Sequence, residues 1–104
     1  MKGSEAIIEM LYKYSVQHVF GLIGETTFPL YEAWDSTDKV KHIFGRDERN
    51  LAIMAESYAR VTGKPGIFEV PGVGASYTLP GVAEAYISGT PIIVFYCIER
   101  LGLL

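Results

Sequence analysis

The stretch "FGRDERNLAIMAESYARVTGKPGIFEV", residues 44–70, decides the fold. It opens on the end of an apolar, strand-like run, "VKHIFG" from Val40 to Gly45. From Asp47 to Thr62 the residues Leu51, Met54, Ala55, Tyr58 and Ala59 recur on one helical face. Gly63 and Pro65 supply the stop. "GIFEV", from Gly66, then reads as a second strand. Strands joined by helices imply a mostly parallel sheet with right-handed crossovers.

The same alternation continues in both directions. Upstream, a helix is predicted over residues 4–15, with Ser4 as candidate cap and Ala6, Ile7, Met10, Leu11 and Tyr14 at helical spacing. "HVFGLIG", residues 18–24, reads as a short buried strand ending in a glycine turn. Pro29 suits the first turn of a helix in "PLYEAWDS". Downstream, "PGVGA" is a tight turn before a helix over residues 78–88. Pro80 requires that helix either to start late, near Leu79, or to bend. "TPIIVFYCI", residues 90–98, is a strand apolar on both faces. The expected fold class is α/β: a mostly parallel sheet with helices on both faces, in one domain over residues 1–104. In such a fold the turns Gly24–Phe28, Gly45–Asp47 and Pro71–Ser76 converge at the carboxyl edge of the sheet, where ligands bind.

The bulk numbers narrow the functional classes. With 104 residues the chain can bury a core, and 49% apolar with 20% charged residues is the balance of a soluble globular protein. A net charge of −3 and scattered basic residues argue against a nucleic-acid surface. Cys97 is the only cysteine, which rules out an internal disulfide and a thiolate metal cluster. The N-terminus is helix-like rather than a signal segment, and no run reaches the ~20 apolar residues of a membrane span. A cytoplasmic location is expected, with no membrane partner. His18 and His42 flank strands without metal-ligand spacing, and no Ser-His-Asp set can be assembled. No metal site is expected within the chain. Phe28, Tyr31 and Trp34 read as core or interface residues.

Two motifs at the predicted edge invite chemistry. In "GVGASY", Gly72 and Gly74 let the backbone turn tightly and approach a ligand. A dinucleotide fingerprint would need a third glycine where Tyr77 stands, and would follow the first strand rather than the third. In "RDER", Asp47 suits an N-cap and Glu48 the first helical position, where the helix dipole favours a carboxylate. That structural role explains both acids without catalysis. A glutamate beside two glycine turns at the mouth of a parallel sheet also sits where a ligand would. An apolar ligand covering it would favour its neutral, proton-donating form.

"VFGLIGETTFPLYEAW", "RDERNLAIMAESYARVTGKPGIFEV" and "PGVGASYTLPGVAEAYISGTPIIVF" together resemble the N-terminal, pyrimidine-binding (Pyr) domain of thiamine-diphosphate enzymes, of the acetolactate synthase and 2-oxo-acid decarboxylase type. The likeness covers Ser4 to about Phe95. The family usually shows Arg-His-Glu or Cys-Asn-Glu before a helix ending in Gly-Tyr-Ala-Arg. Here these become Arg46-Asp47-Glu48 and Ser57-Tyr58-Ala59-Arg60, so the glutamate matches while the histidine and a glycine do not. The resemblance implies that Glu48 hydrogen-bonds N1′ of the cofactor's aminopyrimidine and so activates thiamine diphosphate toward a 2-oxo acid. It also implies that Gly24, Gly72 and Gly74 approach the cofactor, although Ile23 replaces the usual proline.

Other implications concern what lies outside this stretch. The resemblance implies that Mg²⁺ and the diphosphate are held by a second domain with a Gly-Asp-Gly motif, which this chain lacks. The Gly-Gln that commonly follows the fourth strand is Cys97-Ile98 here. The chain would then hold half a site and an incomplete sheet with an exposed edge, and would be inactive alone. Its expected partners are a diphosphate-binding domain or subunit and further copies in a homo-oligomer. "GVG" looks more like the decarboxylases and "PLYEAW" more like acetolactate synthase, which leaves the substrate subclass open. The rival reading is a non-catalytic module that keeps the fold to pair with a partner. Asp47, Ile23 and Cys97-Ile98, at site-like positions, favour it.

Overall fold

A computed structural model describes residues 1–98. The elements alternate as expected: α1 Gly3–Lys13, β1 His18–Gly21, α2 Phe28–Asp35, β2 Lys41–Phe44, α3 Glu48–Thr62, β3 Gly66–Pro71, α4 Leu79–Ser88 and β4 Ile92–Cys97. The four strands form one parallel sheet in the order β2-β1-β3-β4. Residues 99–104 of the domain read from the sequence lie outside the described residues.

Alternation along the central strands sorts the core into two layers. Val19 and Ile67 pack with Ile8 and Leu11 of α1 and with Leu30, Ala33 and Trp34 of α2. Phe20, Phe68 and Val70 point the other way, onto Leu51, Ala52 and Ala55 of α3. Helices therefore cover both faces, and β1 and β3, between them, are buried along almost their whole length. This is why their sequences read as continuous apolar runs.

Local chemistry sets the element boundaries, and in three places it differs from the pattern reading. Ser4 is not the cap of α1. The helix begins earlier, and the Glu5 carboxylate accepts the Lys2 N–H at 2.8 Å. Strand β1 stops at Gly21 rather than running to Gly24, because residues 24–27 close on themselves. The Gly24 N–H donates to Thr27 Oγ1 and that hydroxyl donates to the Gly24 carbonyl, both at 2.9 Å. Residues 72–78 coil into a 3₁₀ helix rather than a simple turn. Helix α4 then starts at Leu79, which places Pro80 in the first turn, where its missing N–H breaks no helical bond. The end of α3 is as read: Gly63 caps it with φ +68°, a left-handed conformation that suits glycine.

Helix α3 is tied sideways to α4. The Arg60 guanidinium meets the buried Glu56 carboxylate one turn back and also reaches Glu84 at 3.0 Å and Ser88 Oγ at 2.7 Å. Thr90 Oγ1 donates to Glu56 as well, at 3.2 Å. Among the described strands β2 and β4 are the edges, and Ile93, Val94 and Tyr96 of β4 are each close to half exposed. No helix among the described residues is long and apolar enough to cross a membrane.

The tightest packing in the fold is between backbones. A Cβ on Gly66, at the start of β3, would overlap the carbonyl of Ala55 in the middle of α3. Neither group can yield without moving an element. Gly66→Ala is therefore expected to cost about 3 kcal/mol or more of stability. Urea unfolding checks this; a loss below about 0.5 kcal/mol, the ordinary scatter of surface changes, would show that α3 can lift off the sheet.

Candidate active site at the carboxyl edge

Two of the three turns named from the sequence line one cleft of about 490 Å³, and the residue just after the third joins them. The β1–α2 turn contributes Glu25 and Thr26, the start of α3 contributes Glu48, and the turn after β3 contributes Gly72, Val73 and Gly74. Tyr96 and Ile98, at the end of β4, complete the wall. Glu48, Gly72 and Gly74 are thus brought together. Gly24 is not on the wall. Its N–H and carbonyl are used within its own turn, and its Cα lies so near Pro71 that a Cβ would come within 2.5 Å of the proline ring. It shapes the wall that Glu25 and Thr26 form.

Glu48 stands where the sequence puts it, as the first residue of α3. Asp47 takes the capping duty: its carboxylate accepts the Arg49 N–H at 2.9 Å and the Arg49 guanidinium at 2.7 and 2.9 Å. These charge-assisted bonds, side chain first and backbone second, hold the Asp47 carboxyl down at about 2. With Asp47 saturated by Arg49, the Glu48 carboxylate forms no ion pair among the described residues and is left to the cleft. It rests over Gly74, where a Cβ would lie 2.8 Å from Glu48 Oε1. A side chain at position 74 would push this carboxylate from its present place. Gly72, with φ +33°, makes the turn that brings Gly74 there. One further polar atom of the cleft residues, Thr26 Oγ1, is buried without a hydrogen-bond partner among the described residues.

The sequence reading missed one cluster altogether. Glu69, in the middle of β3, is fully buried on the α2 side of the sheet. Its Oε1 accepts the Tyr31 hydroxyl at 2.5 Å and lies 3.2 Å from His42 Nε2. Burial, then the Glu69 carboxylate, push the Tyr31 hydroxyl well above its usual range, so it stays a donor. His42 is packed among Tyr31, Trp34 and Phe44, with ring centroids 4.6–4.8 Å away. It lies within β2 rather than beside it. A signal was present: a glutamate inside a strand apolar on both sides must find a buried partner. The partners lie 27 and 38 residues away in sequence, beyond any local pattern.

Two other features carry less chemistry. A larger hollow of about 600 Å³ lies at the opposite, amino edge, bounded by Met10, Tyr14, Pro65, Ile93 and Phe95. It is apolar, and the contact of His18 Nδ1 with Tyr58 Oη at its rim is long, at 3.5 Å. No group of three or more metal-ligating side chains occurs among the described residues. Burial, then the charge of Glu69, raise the Cys97 thiol above its usual value, which disfavours a thiolate nucleophile.

Comparison with known proteins places this geometry. The family model described as "Thiamine pyrophosphate enzyme, N-terminal TPP binding domain" matches residues 1–97. The chain belongs to this family. Thiamine pyrophosphate is the cofactor called thiamine diphosphate above. Among curated relatives of this TPP-enzyme domain, the acetolactate synthase large subunit of Pyropia yezoensis is 36% identical over 95 residues, 88% of this chain and 16% of that protein. The acetolactate synthase catalytic subunit, mitochondrial, of Saccharomyces cerevisiae is 35% identical over 96 residues, 91% of this chain and 14% of that protein. The probable 2-ketoarginine decarboxylase AruI of Pseudomonas aeruginosa is 33% identical over 101 residues, 96% of this chain and 18% of that protein. The chain therefore spans less than a fifth of the length of these relatives.

Asp47 gives this edge a defined acid limit. Its value in the folded chain, about 2, lies below the ordinary 3.8. Its contribution is thus complete above pH 3.8 and is lost as pH falls toward about 2. Asp47→Asn keeps a capping oxygen and removes the charge. The variant should be nearly as stable as wild type at neutral pH, with a flatter loss of stability across that acid window. Parallel pH profiles in urea titrations would exclude Asp47 as the source.

Proposed function

We propose that the cleft is the pyrimidine half of a thiamine-diphosphate site in an enzyme acting on 2-oxo acids, by decarboxylation or carboligation, and that Glu48 is its proton-handling group. The observation that carries this is the Glu48 carboxylate, free of ion pairs among the described residues and held over Gly74 in the cleft between the β1–α2 turn and the turn after β3. Membership of the TPP-enzyme family supports the choice of cofactor, and the acetolactate synthase and decarboxylase relatives support the class of substrate.

The residues fit the group. An aminopyrimidine is flat and needs close backbone approach on one side, which Gly72 and Gly74 allow. It also needs a polar contact at its edge, for which Glu48 is available. Glu48 would hold a proton at the pyrimidine N1′ and so favour the tautomer that activates the cofactor. Val73, Tyr96 and Ile98 would keep water from that edge. When bound, thiamine diphosphate supplies the electron sink that lets a 2-oxo acid lose carbon dioxide.

This chain's own residues account for only part of a site. Mg²⁺ and the diphosphate are assigned to a diphosphate-binding domain or subunit, in a homo-oligomer whose assembly completes the cleft, and the isolated chain is expected to be inactive. Glu48→Gln in the assembled protein keeps the shape and removes the titrating proton. Exchange of the cofactor's C2 hydrogen for deuterium, followed by NMR, should fall to the rate in free solution while the fold is unchanged. Near-normal exchange in the variant would remove Glu48 from the mechanism.

A further inference from the structure

Glu69 is a costly residue for the centre of a sheet. Its carboxylate is fully buried, and Oε2 has no hydrogen-bond partner among the described residues. Nothing in the proposed chemistry uses it, since it does not line the cleft. Its neighbours show where it acts. Gly21, paired with it across the ladder, is the last residue of β1, and a Cβ there would overlap both the Glu69 carboxylate and His42 Nε2. The missing side chain opens the gap through which Glu69 reaches His42. On the other side, Oε1 accepts from Tyr31, one turn into α2. The residues between these contacts form the β1–α2 turn, which brings Glu25 and Thr26 to the cleft.

From this juxtaposition we infer that Glu69 is a positioning residue: seated over Gly21 and hydrogen-bonded to Tyr31, it clamps both limbs of the turn that forms one wall of the cleft. The apolar anchors of α2, Leu30, Ala33 and Trp34, hold the helix on the sheet but impose no direction. A hydrogen bond to a buried carboxylate does, because it weakens steeply off axis. It fixes the rotation of α2 and, through it, the height at which Thr26 meets the cleft. That this wall faces a cofactor rests on the reading of the cleft given above; the clamp itself does not.

The test is amide hydrogen exchange in the full chain, without ligand, in Tyr31→Phe and Glu69→Gln. The Phe variant loses only the hydroxyl, while Gln keeps an acceptor for it. Tyr31→Phe should speed exchange of the Gly24 and Thr27 amides by roughly tenfold, the effect of losing one hydrogen bond to a charged group. Exchange in α3 should be unchanged, and Glu69→Gln should stay close to wild type at the turn. Wild-type rates at Gly24 and Thr27 in Tyr31→Phe would overturn the inference. So would faster exchange spread evenly over the chain, which would mean general stability rather than positioning. Thiamine diphosphate binding to the wild-type protein, measured alongside in the assembled state, separates the two ideas. Failure there would sink the cofactor reading and leave the exchange result to decide the clamp.

Discussion

The backbone contact between α3 and β3 sets the rest of the structure in place. Gly66 lets the Ala55 carbonyl approach the start of β3 more closely than any side chain would allow. Two more glycines meet the same face of α3. Gly81 of α4 lies against Ala52, and Gly74 lies under Glu48. Residues 48, 52 and 55 are spaced as neighbours along one helical stripe. A single line of close contacts therefore runs from the core to the cleft, and Glu48 is its outermost member. The position of the carboxylate is a consequence of how the helix packs.

A division of labour between adjacent acids follows. A helix N-terminus leaves amide donors unsatisfied and attracts a carboxylate. Were Glu48 the only acid there, it would be drawn into capping. Asp47 and Arg49 settle that need between them, through short charge-assisted bonds. The structural and chemical readings of "RDER" are then both satisfied, by different residues. On the opposite face of the sheet, Glu69 has no such competition and is instead fully enclosed by Tyr31, His42 and the gap at Gly21.

Much of this was legible in the sequence because it is local. The helix over Glu48–Thr62, its cap at Asp47 and its stop at Gly63 are set within a few residues of each boundary. The parallel sheet follows from alternation and chain connectivity, and the gathering of Glu48 with the β1–α2 turn and the turn after β3 follows from the sheet. What was not legible depends on contacts distant in sequence. The 3₁₀ coil of residues 72–78 packs against α3, a contact no local pattern shows. Gly24, expected at the cofactor surface, packs against Pro71 and does not line the cleft. The Glu69 cluster required knowing that β2, β1 and β3 lie side by side in that order. Pattern reading gives strands and helices, but not the order of strands in the sheet.

The central claim is that Glu48 engages the pyrimidine N1′ of thiamine diphosphate in this cleft. ¹⁵N NMR of the cofactor labelled at N1′, bound to the assembled protein, addresses that contact directly. A marked upfield displacement of the N1′ resonance on binding, as for a pyrimidine nitrogen accepting a proton or a strong hydrogen bond, is predicted. Cofactor that is demonstrably bound by its ³¹P signals but keeps the N1′ shift of free solution would contradict it.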